Sequence, residues 1–222
     1  MAFITQDAIP ATDDWLSNLI RPLQENKEVD AVFGSHRAHP GHPKYLDKWM
    51  VTHFDSFKDE TIYRKSDNLK DYYRESPGTR QFMHFYSDNN SCLRKRSWMN
   101  YPYPDVFYGE DQLWADWIIQ SDGVKSFAQD AIVFHSHDYT EREEYERART
   151  EAFFFFKYFG YKLGQNRFDI EKGIENDAQA LLASEDESLL MHKDNLLKLI
   201  RAKREGYRAR CDDFLQWLLA SQ

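Results

Sequence analysis

The stretch "DDWLSNLIRPLQENKEVDAVFG", residues 13–34, sets the expected fold class. Its first part predicts a helix because apolar side chains recur at helical spacing, at Trp15, Leu16, Leu19, Ile20 and Leu23. Its last part, "VDAVFG", is an apolar run that predicts a buried strand, and "AFIT" predicts another strand before the helix. The order strand, helix, strand is typical of an α/β layer.

Further along the chain, short strands and helices continue as far as Tyr139. We interpret "FMHFY", "SCL", "VKSF" and "AIVFH" as strands and "DQLWADWIIQSDG" as a helix, while residues 44–80 suggest a short helix and a long irregular segment. From 141 onward the strand signal is lost, and a helical pattern is broken mildly by Gly206. We therefore expect an α/β domain over 1–140 and an α-helical extension over 141–222.

Composition argues against a nucleic-acid-binding protein and against a membrane-spanning one. The chain has 222 residues with a formal net charge of -8, and no basic stripe for a nucleic-acid duplex stands out. Its two cysteines lack metal-ligand spacing, which favours a reducing compartment. The chain shows no signal peptide and no apolar run long enough to span a membrane. These features lead us to expect a cytoplasmic protein that does not bind nucleic acid.

Two sets of residues have the composition of a metal site. Asp7 directly follows the first predicted strand, where ligands bind in open α/β sheets, and a carboxylate there suits a divalent cation. His135 and His137 end the last predicted strand and point to the same face. With carboxylates they could bind zinc or manganese. The alternatives are a turn or capping acid at Asp7 and hydrogen-bonded structural histidines.

Two further motifs have the composition of a reaction site. Glu110 and Asp111 open a predicted helix, where one carboxylate could take a proton from a hydroxyl group. Equally, they could be solvated acids of a first helical turn. The stretch "SDNNSCLRK" places Asn89 and Asn90 between two strands, as in a pocket floor or an ordinary turn.

Taken in their order along the chain, these motifs resemble those of family 2 glycosyltransferases with the GT-A fold, especially the bacterial rhamnosyltransferase-like members. The resemblance runs from about Phe3 to Gly160. It implies a partial GT-A (nucleotide-diphospho-sugar transferase) three-layer sandwich with the α-helical extension behind it. The stretches that carry it are "FITQDAIPATDDWL", "VFGSHRAHPG", "FYSDNNSCLRKRSW", "FYGEDQLWADWIIQSDG", "AIVFHSHDYT" and "FFFFKYFG".

The resemblance implies an inverting transfer of a sugar, with rhamnose as the guess by likeness, from a nucleotide-sugar donor to a glycan or lipid-linked acceptor. Asp111 would be the general base, with Glu110 beside it. A divalent metal, Mn²⁺ or Mg²⁺, would be held by Asp7, His135 and His137. The substrate-binding residues would be Trp114, Asn89, Asn90 and Arg37. Specificity for the donor sugar is expected to lie partly in the loops at 35–43 and 55–80.

Two departures from the family pattern leave alternatives open. Thr5 and Gln6 stand where the family often has another acid, and about a hundred residues of donor-binding half are expected upstream of Met1. A sheet without that half would expose edges that favour homo-oligomers. The protein is thus a segment of a glycosyltransferase, an inactive remnant acting as a binding module, or a metal-dependent hydrolase. The aromatic helix "AFFFFKYFGYK" raises the further hypothesis of peripheral contact with the inner face of the membrane.

Overall fold

A computed structural model describes residues 1–59, 61–64, 76–163, 167–184 and 186–220. It divides the chain into two compact units, Met1–His137 and Asp138–Gln222, next to the boundary expected at 140. The middle of the predicted specificity loop at 55–80, residues 65–75, lies outside the described residues. Among the helices in these ranges, none is both long enough and apolar enough to cross a membrane.

The first unit is a mixed α/β structure, so the predicted α/β class is confirmed. Its described strands form one six-stranded sheet in the order β1-β5-β3-β6-β2, with β4 also paired to β6. The strands are β1 (Ala2–Phe3), β2 (Ile9–Pro10), β3 (Val29–Arg37), β4 (Ile62–Tyr63), β5 (Ser91–Leu93) and β6 (Val124–Phe134). The helices are α1 (Trp15–Glu25), α2 (Lys44–Asp55), α3 (Pro77–His84), α4 (Lys95–Asn100) and α5 (Glu110–Gln120), with a 3₁₀ turn at Asp88–Asn90.

Strand pairing differs from the simple order suggested by the sequence. The central pair, β3 and β6, is parallel, and every other described pair is antiparallel. β1 pairs with β5, so the strands before and after α1 are not neighbours. The predicted strands "VKSF" and "AIVFH" are one strand, β6, with a shift in register opposite Gly34 and Ser35.

Apolar clusters cover both faces of the sheet. On one face, Leu19 of α1 packs with Val32 and Val124. On the other, Trp114 of α5 packs with Phe33 and Phe127. Because successive residues of β3 point to opposite faces, one strand supplies both clusters, and its burial on both sides accounts for its apolar run.

The predicted strand at "FMHFY" was wrong, because this segment mostly belongs to α3. Ser76 caps that helix by accepting a hydrogen bond from the Thr79 amide, and Pro77 occupies its first turn, where proline is tolerated. The short apolar run ending in Met83 and His84 is one buried helical face rather than a strand.

The second unit is helical throughout its described elements. These are α6 (Glu141–Phe159), α7 (Arg167–Leu182), α8 (Glu187–Leu190) and α9 (Lys193–Ala220). α6 begins with a capping box, in which Thr140 and Glu143 each bond the other's backbone amide. Gly206 does not interrupt α9. A Cβ added there would lie 2.5 Å from the Tyr145 carbonyl oxygen, so the glycine permits close contact between α9 and α6.

Candidate metal and carboxylate site

Strand pairing brings Asp7 beside the two histidines that follow β6. Ile9 of β2 pairs with Phe134, the last residue of β6. Asp7 precedes β2 in the chain, and His135 directly follows β6. The turn that contains Asp7 and the end of β6 therefore meet at one edge of the sheet, although they are more than a hundred residues apart in sequence.

The ligand atoms of Asp7, His135 and His137 form a compact cluster, all within 4.8 Å of one another. Asp7 Oδ2 lies 3.4 Å from His135 Nε2 and 3.7 Å from His137 Nε2. The Thr5 hydroxyl, followed by the nearby histidines, lowers the pKa of Asp7, so the carboxylate is ionised at neutral pH. Burial is the main cause that lowers the pKa of His135, which favours the neutral imidazole that metals bind. The donor set therefore fits a divalent cation.

A histidine-rich loop holds these ligands from one side. The His39 ring nitrogen Nε2 lies 3.1 Å from the backbone oxygen of Asp7; because a carbonyl only accepts, His39 carries its proton on Nε2. The His39 amide donates to the Ser136 hydroxyl, which lies 2.7 Å from His42 Nδ1. The sequence predicted a specificity loop at 35–43 but no role for its histidines. The repeated histidines in "SHRAHPGHP" were the available signal.

The acid pair lies at the start of α5, after Gly109 in the left-handed conformation (φ 70°). Asp111 accepts hydrogen bonds from the amides of Gln112 (2.7 Å) and Asp88 (3.3 Å). Burial, followed by the charges of Asp88 and Glu110, raises the pKa of Asp111 to about 8. A carboxyl group with a raised pKa can accept a proton from a substrate more readily than an ordinary aspartate.

Asp88 is a further acid of the site that the sequence did not single out. Burial, followed by the charges of Glu110 and Asp7, raises its pKa to about 6. The charges of Asp7, in the cluster with His135 and His137, and of Glu110, in the acid pair at α5, therefore both act on Asp88. This electrostatic coupling indicates that the two groups of side chains share one local environment.

The 3₁₀ turn at Asp88–Asn90 contacts both the side-chain cluster of Asp7, His135 and His137 and the acid pair of Glu110 and Asp111. Its first residue donates its amide to Asp111, as described. The Asn89 amide nitrogen lies 3.2 Å from each ring nitrogen of His135. Asn90 points instead into the core, with no exposed surface, and bonds to Trp15, Ser35 and Ala131. One rigidly anchored turn thus contacts both halves of the site.

Three of the predicted substrate-binding residues have structural partners in the protein. Asn90 is fully buried, and so is Trp114, whose indole N–H donates to the Tyr101 carbonyl oxygen. Both therefore support the site from the core rather than face a substrate, which corrects their predicted role. Arg37 forms a two-pronged ion pair with Asp47, at 2.7 Å and 2.5 Å, which ties the end of β3 to α2. Of the predicted four, Asn89 contacts His135 through its side chain, and Arg37 does so through its backbone oxygen, which accepts the His135 amide at 2.9 Å.

No protein-family model, curated protein or solved structure matches this chain.

Proposed function

We propose that this chain forms the metal-binding and acid–base part of a glycosyltransferase, as the sequence resemblance implies. The observation that supports it best is the turn at Asp88–Asn90, which contacts His135 of the metal cluster and Asp111 of the acid pair. Sugar transfer from a nucleotide donor needs these two functions side by side. One stabilises charge on the departing diphosphate, and the other takes a proton from the attacking hydroxyl.

The reaction would be a single displacement at the anomeric carbon of the donor sugar. The acceptor oxygen forms a bond to that carbon while the bond to the diphosphate oxygen breaks, which inverts the configuration. Ionised Asp111 takes the hydroxyl proton, and the nucleoside diphosphate leaves with the bonding electron pair. Because its pKa is about 8, Asp111 becomes more effective as a base as pH rises towards that value.

The cluster of Asp7, His135 and His137 would hold a divalent cation, Mn²⁺ or Mg²⁺ by the resemblance. When bound, this ion supplies positive charge next to the donor diphosphate. Asp7 contributes the anionic ligand, and its pKa, lowered by the nearby Thr5 hydroxyl and then by the histidines, keeps it ionised. His39 donates to the backbone oxygen of Asp7 and so supports the turn that carries this carboxylate.

The sheet supports the GT-A part of the proposal, because apolar clusters with helices cover both of its faces. The carboxyl ends of the parallel strands β3 and β6 meet at the metal cluster, where ligands bind in open α/β sheets. The acceptor would be a glycan or a lipid-linked glycan, approaching on the Asp111 side. Rhamnose remains the proposed donor sugar by likeness.

Binding of nucleoside diphosphates to the full-length form of the enzyme, measured by calorimetry, tests this function. We expect UDP, GDP or dTDP to bind only with a divalent cation, and Asp7→Ala to weaken that binding. Asp111→Asn should retain diphosphate binding but nearly abolish transfer from the corresponding nucleotide sugar. Transfer at the normal rate by this variant would remove Asp111 as the base.

The other two hypotheses give different results in the same experiments. A folded protein with no metal-dependent nucleotide binding would refute the transferase and favour a binding module. Zinc-dependent hydrolysis of a simple ester or phosphodiester, unaffected by nucleoside diphosphates, would instead indicate a hydrolase. The proposal requires that neither of these results is obtained.

A further inference from the structure

The ligand set of the metal cluster contains more nitrogen than oxygen. It offers two imidazole nitrogens, from His135 and His137, and one carboxylate, from Asp7. Mg²⁺ and Ca²⁺ prefer oxygen ligands, and Mg²⁺ usually binds through carboxylates, phosphates and retained water. Imidazole suits zinc and the later first-row transition metals. The donor atoms alone thus disfavour Mg²⁺, one of the two ions that the resemblance implies.

The spacing of the ligand atoms agrees with this chemistry. For metal–ligand bonds of about 2.1 Å, neighbouring ligands lie about 3.4 Å apart in a tetrahedron and about 3.0 Å apart in an octahedron. Asp7 Oδ2 lies 3.4 Å from His135 Nε2 and 3.7 Å from His137 Nε2. The first separation equals the tetrahedral value and the second exceeds it, and all the ligand atoms lie within 4.8 Å of one another, close enough to bind a single ion.

The nearby acids are not placed to make the cluster richer in oxygen. Both carboxylate oxygens of Asp111 accept backbone amides, from Gln112 and Asp88. Within the described residues, the group of potential ligands around His135 includes one carboxylate, that of Asp7. Asp111 would have to leave these hydrogen bonds to add a second carboxylate to the cluster.

The cluster is also exposed to solvent on one side, as expected of a metal site that leaves one coordination position for water or substrate. The side chains of Asp7 and His137 are 45% and 43% exposed, while that of His135 is 12% exposed. Asn89 contacts the His135 ring, and His39 holds the Asp7 carbonyl oxygen. Three protein ligands, two of them supported by neighbouring side chains, with an open side towards solvent are typical of catalytic zinc sites, whose fourth position takes water or substrate.

We infer that Asp7, His135 and His137 form a four-coordinate site for a zinc-class transition metal and select against Mg²⁺. The inference rests on the proposed function for the location of the ion, but it concerns which ion the site takes. The fourth position, on the exposed side, is free for a water molecule or a substrate oxygen.

Cobalt absorption spectroscopy on the whole chain tests this inference, because Co²⁺ reports its coordination in its visible spectrum. We expect one Co²⁺ with the intense bands of a four-coordinate ion, displaced by equimolar Zn²⁺ and retained in a large molar excess of Mg²⁺. The bands should be lost in His135→Ala and in His137→Ala. Asn89→Ala, which removes a contact to a ligand but no ligand, should weaken Co²⁺ binding about tenfold.

Two further variants sharpen the experiment. His137→Asp makes the cluster richer in oxygen, so Mg²⁺ should compete with Co²⁺ better than in the wild type. His192→Ala, in the helical unit, is the matched control for nonspecific binding to histidine and should leave the spectrum unchanged. The inference is overturned if Mg²⁺ displaces Co²⁺ from the wild type at comparable concentration. It is equally overturned if the bands survive in both ligand variants.

The metal experiment and the nucleotide experiment fail independently. Selective Co²⁺ and Zn²⁺ binding without any nucleotide binding would support this inference and refute the transferase. Nucleotide binding supported equally well by Mg²⁺ and Zn²⁺ would support the transferase and overturn the inference.

Discussion

Replacing Asn90 by alanine should destabilise the first unit much more than replacing its neighbour Asn89. Asn90 is fully buried and uses both ends of its amide. Its oxygen accepts the Trp15 indole N–H at 2.8 Å, and its nitrogen donates to the carbonyl oxygens of Ser35 (2.9 Å) and Ala131 (2.7 Å). These bonds join α1, β3 and the irregular part of β6 through one side chain.

The magnitude follows from the groups that Asn90→Ala would leave without partners. Each buried donor or acceptor left unsatisfied costs about 1–3 kcal/mol. The Trp15 indole is only partly buried and can regain a water molecule, so the two carbonyl oxygens dominate. We therefore expect a loss of about 3 kcal/mol in the free energy of unfolding, a large part of the stability of an ordinary domain.

Urea unfolding followed by circular dichroism and tryptophan fluorescence measures this loss. Asn89→Ala is the matched control, because Asn89 is half-buried and bonds to the His135 ring rather than to the core. The control should change stability by less than about 0.5 kcal/mol while weakening metal binding. Equal losses in the two variants, or a loss below about 1 kcal/mol for Asn90→Ala, would refute the structural role assigned to Asn90.

Two other predictions concern pH and helix packing. Burial and acidic neighbours raise the pKa of Asp111 to about 8, so the folded state holds this proton more tightly than the unfolded chain, and stability should fall as pH rises from about 4 to about 8. In Asp111→Asn, the stability measured by thermal unfolding should decline less over this pH range than in the wild type. Parallel pH profiles of the two proteins would contradict the prediction. Gly206→Ala should cost about 1–3 kcal/mol, because its Cβ would meet the Tyr145 backbone. Its control, Gly173→Ala, would meet only the end of the Arg204 side chain, at 3.1 Å and bonded to Asp177, rather than backbone, so it should cost less than Gly206→Ala by thermal unfolding.

The α/β class and the positions of several site residues could be predicted from short-range patterns. Asp7 and His135 were expected at strand ends, and Asp111 at a helix start, because turns and helix termini have local sequence signals. The structure places Asp7 in the turn between β1 and β2, His135 directly after β6, and Asp111 in the first turn of α5. Whether they perform the proposed chemistry is a separate question, which the binding and spectroscopic experiments address.

Other features depend on contacts that no local pattern contains. "VKSF" and "AIVFH" join into one strand because β3 pairs along both of them. Lys125, a charged residue expected at a surface, is buried, donates to the carbonyl oxygens of Met83 and Phe85, and lies over the Phe33 ring. Its environment is made by segments distant in the chain, and periodicity carries no information about them.

By itself the sequence determined the α/β class of the first unit, where the helical part begins, and which polar residues lie near the ends of several elements. Only the tertiary structure decided that Asn89 faces the metal cluster while Asn90 faces the core, and that Trp114 packs inside. The reason is physical. Propensity and periodicity act over a few residues, whereas the direction a side chain takes depends on the cavity, carbonyl oxygen or ring that distant segments place beside it.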